Sequence, residues 1–427
     1  MKNQQFQNIN YVKGTLSFPG DKSISHRALL ISSLAKGKSE IKNLPINDDI
    51  KSTMNCLESL GIKIKYSSDT VTVFGNGYKG YQRPTKSVYA GNSGTTARLL
   101  AGILVAQNFE SFVTGDESLS SRPMKRIIEP LSEIGAKIRA NDEGRLPLHI
   151  SPPESLKSIH YQLPVASAQV KSAILFTGLH LDSETLVIES TPTRNHTENL
   201  LGLKVVEHEG KIISYVSRDF FPEPKEYFIP GDISSAMFFI VLTLITENSE
   251  LIIKNVSLNP TRIEYLNILK RMGGIIEIEE RGVSNNEVYG DLLVRSSDLQ
   301  NVQIEKRIIP LIIDEIPALT IAGIFADGNF ELRGAAELRV KESDRVKAIC
   351  SNLLKIGQNV EEFEDGFNLS GNIKRPSEPF NSFGDHRIAM AFGILSSLLD
   401  NGSKVEDFDC VSISNPDFIK QLNSISH

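Results

Sequence analysis

The chain has 427 residues, 40% of them hydrophobic and 23% charged, with 30 glycines and 19 prolines. That length predicts two or three domains, each with a real core, and the ordinary apolar content excludes disorder, collagen and coiled coil. A net charge of -6, from 46 Lys+Arg against 52 Asp+Glu, argues against non-specific nucleic-acid binding as the main task.

No apolar stretch reads as a membrane span. Met237 to Ile245 is too short, and the longer stretch from Ile308 to Phe325 carries Asp314 and Glu315 inside it. The opening MKNQQFQNIN lacks the apolar region of a signal peptide. Cys56, Cys350 and Cys410 are too scattered for a disulfide framework or a CxxC metal site. His26, His149, His196 and His386 show no HExxH spacing, so no metal is expected, and His26 and His386 read as orienting residues at helix starts. A cytoplasmic enzyme is the expectation.

In chain order, the first strong element is an apolar helix in SISHRALLISSLAKG, followed by strand character in SEIKNL. Next comes TMNCLESLGIKIKY, which reads as helix, glycine, strand. The two patterns then alternate: SGTTARLLAGILVAQ and IIEPLSEIGAKIRA, SAQVKSAILFTGLHL and NLLGLKVVEHEG, ISSAMFFIVLTLITE and NILKRMGGIIEIEE, EIPALTIAGIFADG and NLLKIGQNVEEF. HRIAMAFGILSSLLD opens a sixth copy, shortened to SNPDFIKQLNSIS. The marker glycines Gly61, Gly135, Gly202, Gly273 and Gly357 recur roughly every seventy residues and suit helix C-caps. The first family is apolar nearly all round, which predicts buried helices. No unit could cover its own apolar face, so several must share a core. Six units suggest two domains of three, with the chain crossing at Leu16–Asp21 and at FIPGD (Phe228–Asp232).

Polar residues cluster at the starts of the buried helices: Lys22-Ser23, Asn92-Ser93-Gly94, Ser167-Ala168-Gln169, Asp314-Glu315 and Asp385-His386-Arg387. One Ser, Thr, Asp or Asn suffices for an N-cap. Capping leaves Lys22, Arg27, Arg98, Lys171 and Arg387 unexplained, because cations there oppose the helix dipole. They make sense if anions bind at those ends. SLSSRPMKR (Ser118 to Arg126) adds cations on a proline-stiffened loop, and LRVKESDRVK (Leu338 to Lys347) would place Lys341 and Arg345 on one face if helical. At about 5 Å and an effective dielectric near 20, each unit-charge pair is worth roughly 3 kcal/mol, so two polyanions side by side need such a field. Asp314 and Glu342 are the candidate proton-transfer groups within it.

GDKSISHR (Gly20 to Arg27), GNSGTTAR (Gly91 to Arg98), SRPMKR (Ser121 to Arg126), ELRVKESDR (Glu337 to Arg345) and GDHRIAMAF (Gly384 to Phe392) resemble, in unbroken order, the EPSP synthase (3-phosphoshikimate 1-carboxyvinyltransferase) family. LPVASAQVKSA and TPTRNHTE resemble a subgroup whose members are often less sensitive to glyphosate. The resemblance implies an α/β (α+β) enolpyruvyl transferase-like fold. It has two similar domains of three βαβαββ-type units with buried helices, an inside-out α/β barrel. The domains would be 21–230, carrying the shikimate 3-phosphate contacts, and 1–20 plus 231–427, carrying the phosphoenolpyruvate and acid/base residues, with the active site in the cleft between them.

The implied reaction moves the enolpyruvyl group of phosphoenolpyruvate to the 5-hydroxyl of shikimate 3-phosphate by addition and elimination, without a cofactor, in a monomer. By the same resemblance, Lys22, Ser23, Arg27, Ser167, Gln169, Arg194, Asp314 and Lys341 would hold shikimate 3-phosphate. Lys22, Asn92, Gly94, Arg122, Gln169, Arg345, His386 and Arg387 would hold phosphoenolpyruvate. Asp314, Glu342 and Lys22 would be catalytic. Ala168 replaces a serine found in many members, with Arg194 as the expected compensation, and Ile413 stands where some carry a lysine. The alternative is the sister transferase acting on UDP-N-acetylglucosamine, disfavoured because SLSSRP lacks its loop cysteine.

Overall fold

The computed structural model describes residues 3–67 and 69–427. Two compact units emerge. The insert unit comprises Pro19–Pro230 and the hairpin tip Val283–Glu287; the terminal unit comprises the chain up to Phe18, Gly231–Gly282 and Val288–His427. Both boundaries fall within the crossing stretches Leu16–Asp21 and Phe228–Asp232, while the domain bounds implied by the resemblance begin the insert at 21 and put residues 283–287 in the other domain. The tip belongs to the insert unit because Glu287 accepts from His196 Nδ1 at 2.8 Å and from Asn199, and the Ser284 hydroxyl accepts from the Phe228 amide.

The insert unit holds three four-stranded sheets of one design. In the first, Glu226–Phe228 runs parallel to Lys36–Lys42, which pairs antiparallel with Thr70–Asn76, itself antiparallel to Lys63–Ser67. The same order recurs in Val88–Tyr89, Ser111–Thr114, Leu148–Ser151 and Lys137–Arg139. It recurs again in His160–Gln162, Thr185–Glu189, Lys211–Val216 and Lys204–His208. The terminal unit repeats it once in full, with Lys13–Ser17 parallel to Glu250–Ser257. Its second sheet is three-stranded, and a lone parallel bridge between Gln300 and Asp327 stands where the edge strand would be. The third has Ser403–Glu406 between Phe380–Asn381 and Gln4–Phe6.

All six apolar segments form helices. With the elements that matter to the site they are α1 (Lys22–Leu34), α2 (Asp48–Ser59), α3 (Gly94–Leu104), α4 (Ala168–Gly178), α5 (His196–Leu201), α6 (Ile233–Ile245), α7 (Ile316–Phe325), α8 (Arg345–Lys355) and α9 (His386–Ser397). Side-chain caps start most of them: Asp21, Asn47, Ser93, Ser167, Asp232, Asp344 and Asp385 each accept a backbone amide of the first turn. In α6 every residue from Ile233 to Leu244 is buried, as expected for a helix apolar on all sides. The second family ends as its glycines predict: Gly61, Gly135, Gly202, Gly273 and Gly357 have φ of 84°, 104°, 65°, 103° and 75°, the left-handed region that lets the chain turn from helix into strand.

Among the described residues no single helix is long and apolar enough to cross a membrane. The apolar run from Ile308 is broken by a 115° bend at Asp314 and Glu315.

In the insert unit, α3 and α4 approach closely enough that a Cβ on Gly102 would lie 2.3 Å from the Ala173 carbonyl oxygen. The Thr177 hydroxyl donates to the Gly102 carbonyl across the contact. Gly102→Ala should therefore cost about 1–3 kcal/mol through overpacking. Urea denaturation measures this, and an unshifted midpoint would mean the two helices part without cost.

Candidate active site

The residues singled out by the sequence form two clusters, one in each unit. In the insert unit, Lys22 opens α1 and its Nζ pairs with Asp49 Oδ2 of α2 at 2.8 Å. One turn on, Arg27 is buried. It donates through Nε to the Thr197 hydroxyl at 2.7 Å, through Nη1 to the Ser23 carbonyl, and through Nη2 to the Ser172 hydroxyl at 2.8 Å. Burial lowers its pKa to about 10; Glu198 opposes that fall and nearby Arg194 adds to it. A guanidinium in that state gains from an incoming anion.

A second group surrounds the start of α3. Arg122 Nη2 donates to Asn92 Oδ1 at 2.8 Å and to the Ser118 hydroxyl at 3.1 Å. Gln169, in the first turn of α4, accepts from Arg98 Nη1 at 2.8 Å and donates to the Thr95 hydroxyl at 3.0 Å. A Cβ on Gly94 would sit 2.7 Å from Arg98 Nη1 and 3.5 Å from Arg122 Nη1. Glycine is thus what lets two guanidinium groups stand over this helix end. Ser167 caps α4, accepting from the Val170 amide at 3.4 Å. The segment read as a loop, SLSSRPMKR, overlaps the short helix Glu117–Ser120 and runs into a second helix at Lys125.

The terminal unit gathers its candidates around Arg345, which is fully buried. Its Nε donates to Asp385 Oδ2 at 2.7 Å, its Nη1 to Asp314 Oδ1 at 3.2 Å, and its Nη2 to Glu342. Burial alone would lower its pKa, but Asp385, Glu342 and Asp314 together raise it above the ordinary arginine value. Arg387 braces the same carboxylate: Nη1 donates to the Asp314 carbonyl at 3.1 Å, and Nη2 lies 3.6 Å from Oδ2. Lys341, half-buried, precedes Glu342, and buried His386 precedes Arg387 at the start of α9.

Two expectations need correction. Lys341 and Arg345 do not share a helical face. A 3-10 turn ends at Val340, and Asp344 caps a new helix through the Lys347 amide at 3.0 Å, so the two residues lie on either side of a break. Lys171 does not face an anion site. It is wholly buried, with Nζ 2.6 Å from both Glu189 Oε2 and Glu198 Oε1. Burial lowers its pKa, and the two glutamates outweigh that and keep it charged. Asp49, Asp385 and this Lys171 network were missed. Asp385 stood in a quoted motif as a cap; its second role, as a bidentate partner of Arg345, has no local signal in the sequence.

The family model for EPSP synthase (3-phosphoshikimate 1-carboxyvinyltransferase) matches residues 6–422. The chain is 47% identical over 424 residues to a 3-phosphoshikimate 1-carboxyvinyltransferase of Petrotoga mobilis, covering 98% of each chain. The solved EPSP synthase of Acinetobacter baumannii superposes with a TM-score of 0.85 at 37% identity, covering 99% of this chain and 98% of that one. The enolpyruvyl transferase NikO of Streptomyces tendae, at 13% identity and a TM-score of 0.75 over 99% of this chain and 96% of that one, shares the fold.

Two buried histidines of the insert unit, His26 and His180, give a pH signature. His26 has its pKa pushed well below 6.5 by burial and then by Lys22 and Arg27, against a smaller upward pull from Asp21. Burial takes His180 to about 4. Below pH 6.5 the unfolded chain takes up protons that the folded chain refuses, so stability falls on acidification and is regained above that value. Urea midpoints between pH 7.5 and 5 should show this. His26→Gln should flatten the slope by about 1.4 kcal/mol per pH unit below the imidazole pKa; parallel profiles would mean that His26 is charged in the fold.

Proposed function

The chain belongs to the EPSP synthase family, and from that premise we propose how its two clusters divide the reaction. The family's transferase activity is a step of the shikimate pathway toward aromatic amino acids, joining phosphoenolpyruvate to shikimate 3-phosphate. One observation carries the reading. Asp314 and Glu342, the carboxylates suited to proton transfer, are held by a single buried guanidinium, Arg345, with Arg387 beside them.

Shikimate 3-phosphate is assigned to Lys22, Ser23, Arg27, Ser167, Gln169, Arg194, Asp314 and Lys341. Arg27 supports this, because its lowered pKa marks a buried cation that an anion would relieve. Phosphoenolpyruvate is assigned to Lys22, Asn92, Gly94, Arg122, Gln169, Arg345, His386 and Arg387. The two guanidinium groups over Gly94 support that assignment.

Asp314, ionised beside Arg345 and Arg387, accepts the 5-hydroxyl proton as the oxygen attacks C2 of phosphoenolpyruvate. Glu342 supplies a proton to C3, so the adduct forms with both protons accounted for. Elimination then takes a proton back from C3 as phosphate leaves, giving the enol ether. Glu342 must be protonated to do this, and Arg345 opposes protonation. A substrate carboxylate that draws the Arg345 Nη2 donor away from Glu342 removes that opposition. Acid competence then arises only when substrate is bound. The reading carries with it a cytoplasmic monomer, sedimenting as a single 47.2 kDa chain.

The test is phosphate release with the two substrates. Release from phosphoenolpyruvate should require shikimate 3-phosphate, and turnover with UDP-N-acetylglucosamine in its place would overturn the assignment. Glu342→Gln should slow turnover by about a hundredfold or more, and a near wild-type rate would remove it from the mechanism. Arg122→Ala should raise the KM for phosphoenolpyruvate, and unchanged kinetics would free Arg122 from the binding role.

A further inference from the structure

A chain of buried hydroxyls joins the helix that carries Lys22 and Arg27 to the helix end at Gly94. His26 Nδ1 on α1 lies 2.6 Å from the Thr53 hydroxyl on α2, which lies 2.6 Å from the Thr96 hydroxyl on α3. Thr96 donates to the Ser93 hydroxyl at 2.8 Å, and the Thr96 amide donates to the same oxygen at 3.2 Å. His26, Thr53 and Thr96 are fully buried, and Ser93 is 1% exposed.

The direction of this chain follows from counting hydrogens. A hydroxyl has one to give. Thr96 gives its own to Ser93, so in the 2.6 Å contact the Thr53 hydroxyl must donate to Thr96. Among the described residues the other acceptor near Thr53, the Asp49 carbonyl, is at 3.5 Å, the outer limit for such a bond. Thr53 therefore has nothing to give His26, and Nδ1 must be the donor. The imidazole is thus fixed as the Nδ1–H tautomer, and burial beside Lys22 and Arg27 holds it neutral.

At the far end, the Ser93 oxygen already accepts two hydrogens from Thr96, both from the side of its own helix. A tetrahedral hydroxyl oxygen that accepts two hydrogens keeps its own for the remaining direction, away from the two Thr96 donors, and no acceptor for it occurs among the described residues. A second, independent feature stands at the same end: the Nη1 atoms of Arg98 and Arg122 lie over Gly94. A buried, directed O–H donor beside two guanidinium groups at a helix N-terminus describes a place for an anionic oxygen.

We propose that the Ser93 hydroxyl is a further donor to phosphoenolpyruvate, and that His26, Thr53 and Thr96 are positioning residues that aim it. The inference rests on the reading that phosphoenolpyruvate is held at Gly94 and Arg122, and adds a contact to it. Since His26 lies on the helix that offers Lys22 and Arg27, the chain also sets the orientation of one subsite's donor from the element that builds the other.

The experiment is steady-state phosphate release by the full-length enzyme, with both substrates varied. Ser93→Gly removes the hydroxyl while costing the helix cap only a few tenths of a kcal/mol, so the variant folds. It should raise the KM for phosphoenolpyruvate about tenfold, with kcat and the KM for shikimate 3-phosphate changed less than about twofold. Ser93→Thr should recover most of that loss. Thr96→Val keeps the cap but releases the aim of Ser93, and should shift the same KM in the same direction, by less. A wild-type phosphoenolpyruvate KM in Ser93→Gly, or an equal rise in both KM values, would overturn the proposal. An inactive wild-type enzyme would instead overturn the functional reading beneath it. Ring 15N spectra, with His26 assigned by its loss in His26→Gln, should show Nδ1 protonated and Nε2 bare. The opposite tautomer would reverse the chain and remove the directed donor.

Discussion

A helix buried on every side has only its ends to offer to anything outside. That constraint organises each unit here. Helices such as α6, apolar all round, cannot carry a functional side chain along their length without leaving it stranded in the core. Their first turns are different: the amides there lack intrahelical partners and the dipole is positive. Polar chemistry is confined to those turns by the same packing that makes the core, and Lys22, Gly94, Gln169 and Arg387 all stand there.

Once cations are placed at such positions, their neighbours decide what they can do. Lys171 is matched by two glutamates and is a structural ion, tying α4 to α5 and to strand Thr185–Glu189. Arg345 is matched by three carboxylates, so its charge is more than answered before any substrate arrives. Arg27 is held chiefly by hydroxyls and a carbonyl, with its compensating charge one shell further out. Buried ion pairs of this kind are poor evidence for stability, because desolvation offsets most of their attraction. Their consequence is selectivity. A cation already answered by carboxylates exchanges partners, whereas one answered by hydroxyls adds one.

Much of the fold could be read from residue order. The all-round apolar helices, the glycine turns that follow the second helix family and the two crossing points lie in local patterns, because helix burial and left-handed turns are set by neighbours a few residues apart. Lys22, Arg27, Asp314 and Glu342 could be singled out from motifs. Pairings across long sequence distance could not. Asp49 answers Lys22 across 27 positions and Asp385 answers Arg345 across 40, and nothing local distinguishes either carboxylate from an ordinary cap or first-turn acid. Lys171 was misread for the same reason, since its glutamates lie in a strand and a helix further along the chain. LRVKESDRVK misled differently: its helical spacing is real on paper, but Asp344 found a capping role that splits it.

The two clusters differ in charge, and the difference suits the roles proposed for them. Around α1, α3 and α4 the side chains named here are mostly cations and neutral donors, with Asp49 the carboxylate that meets Lys22. Around α8 and α9 the carboxylates equal or outnumber the guanidinium groups. A polyanion is stabilised by the first environment and resisted by the second unless it brings a group that can replace a carboxylate on Arg345. Proton transfer needs the second environment, because a field made only of cations would hold every carboxylate ionised and leave no acid. On the reading proposed above, the first environment would suit the binding of strongly charged groups and the second would keep a carboxyl group whose proton can be lent and recovered.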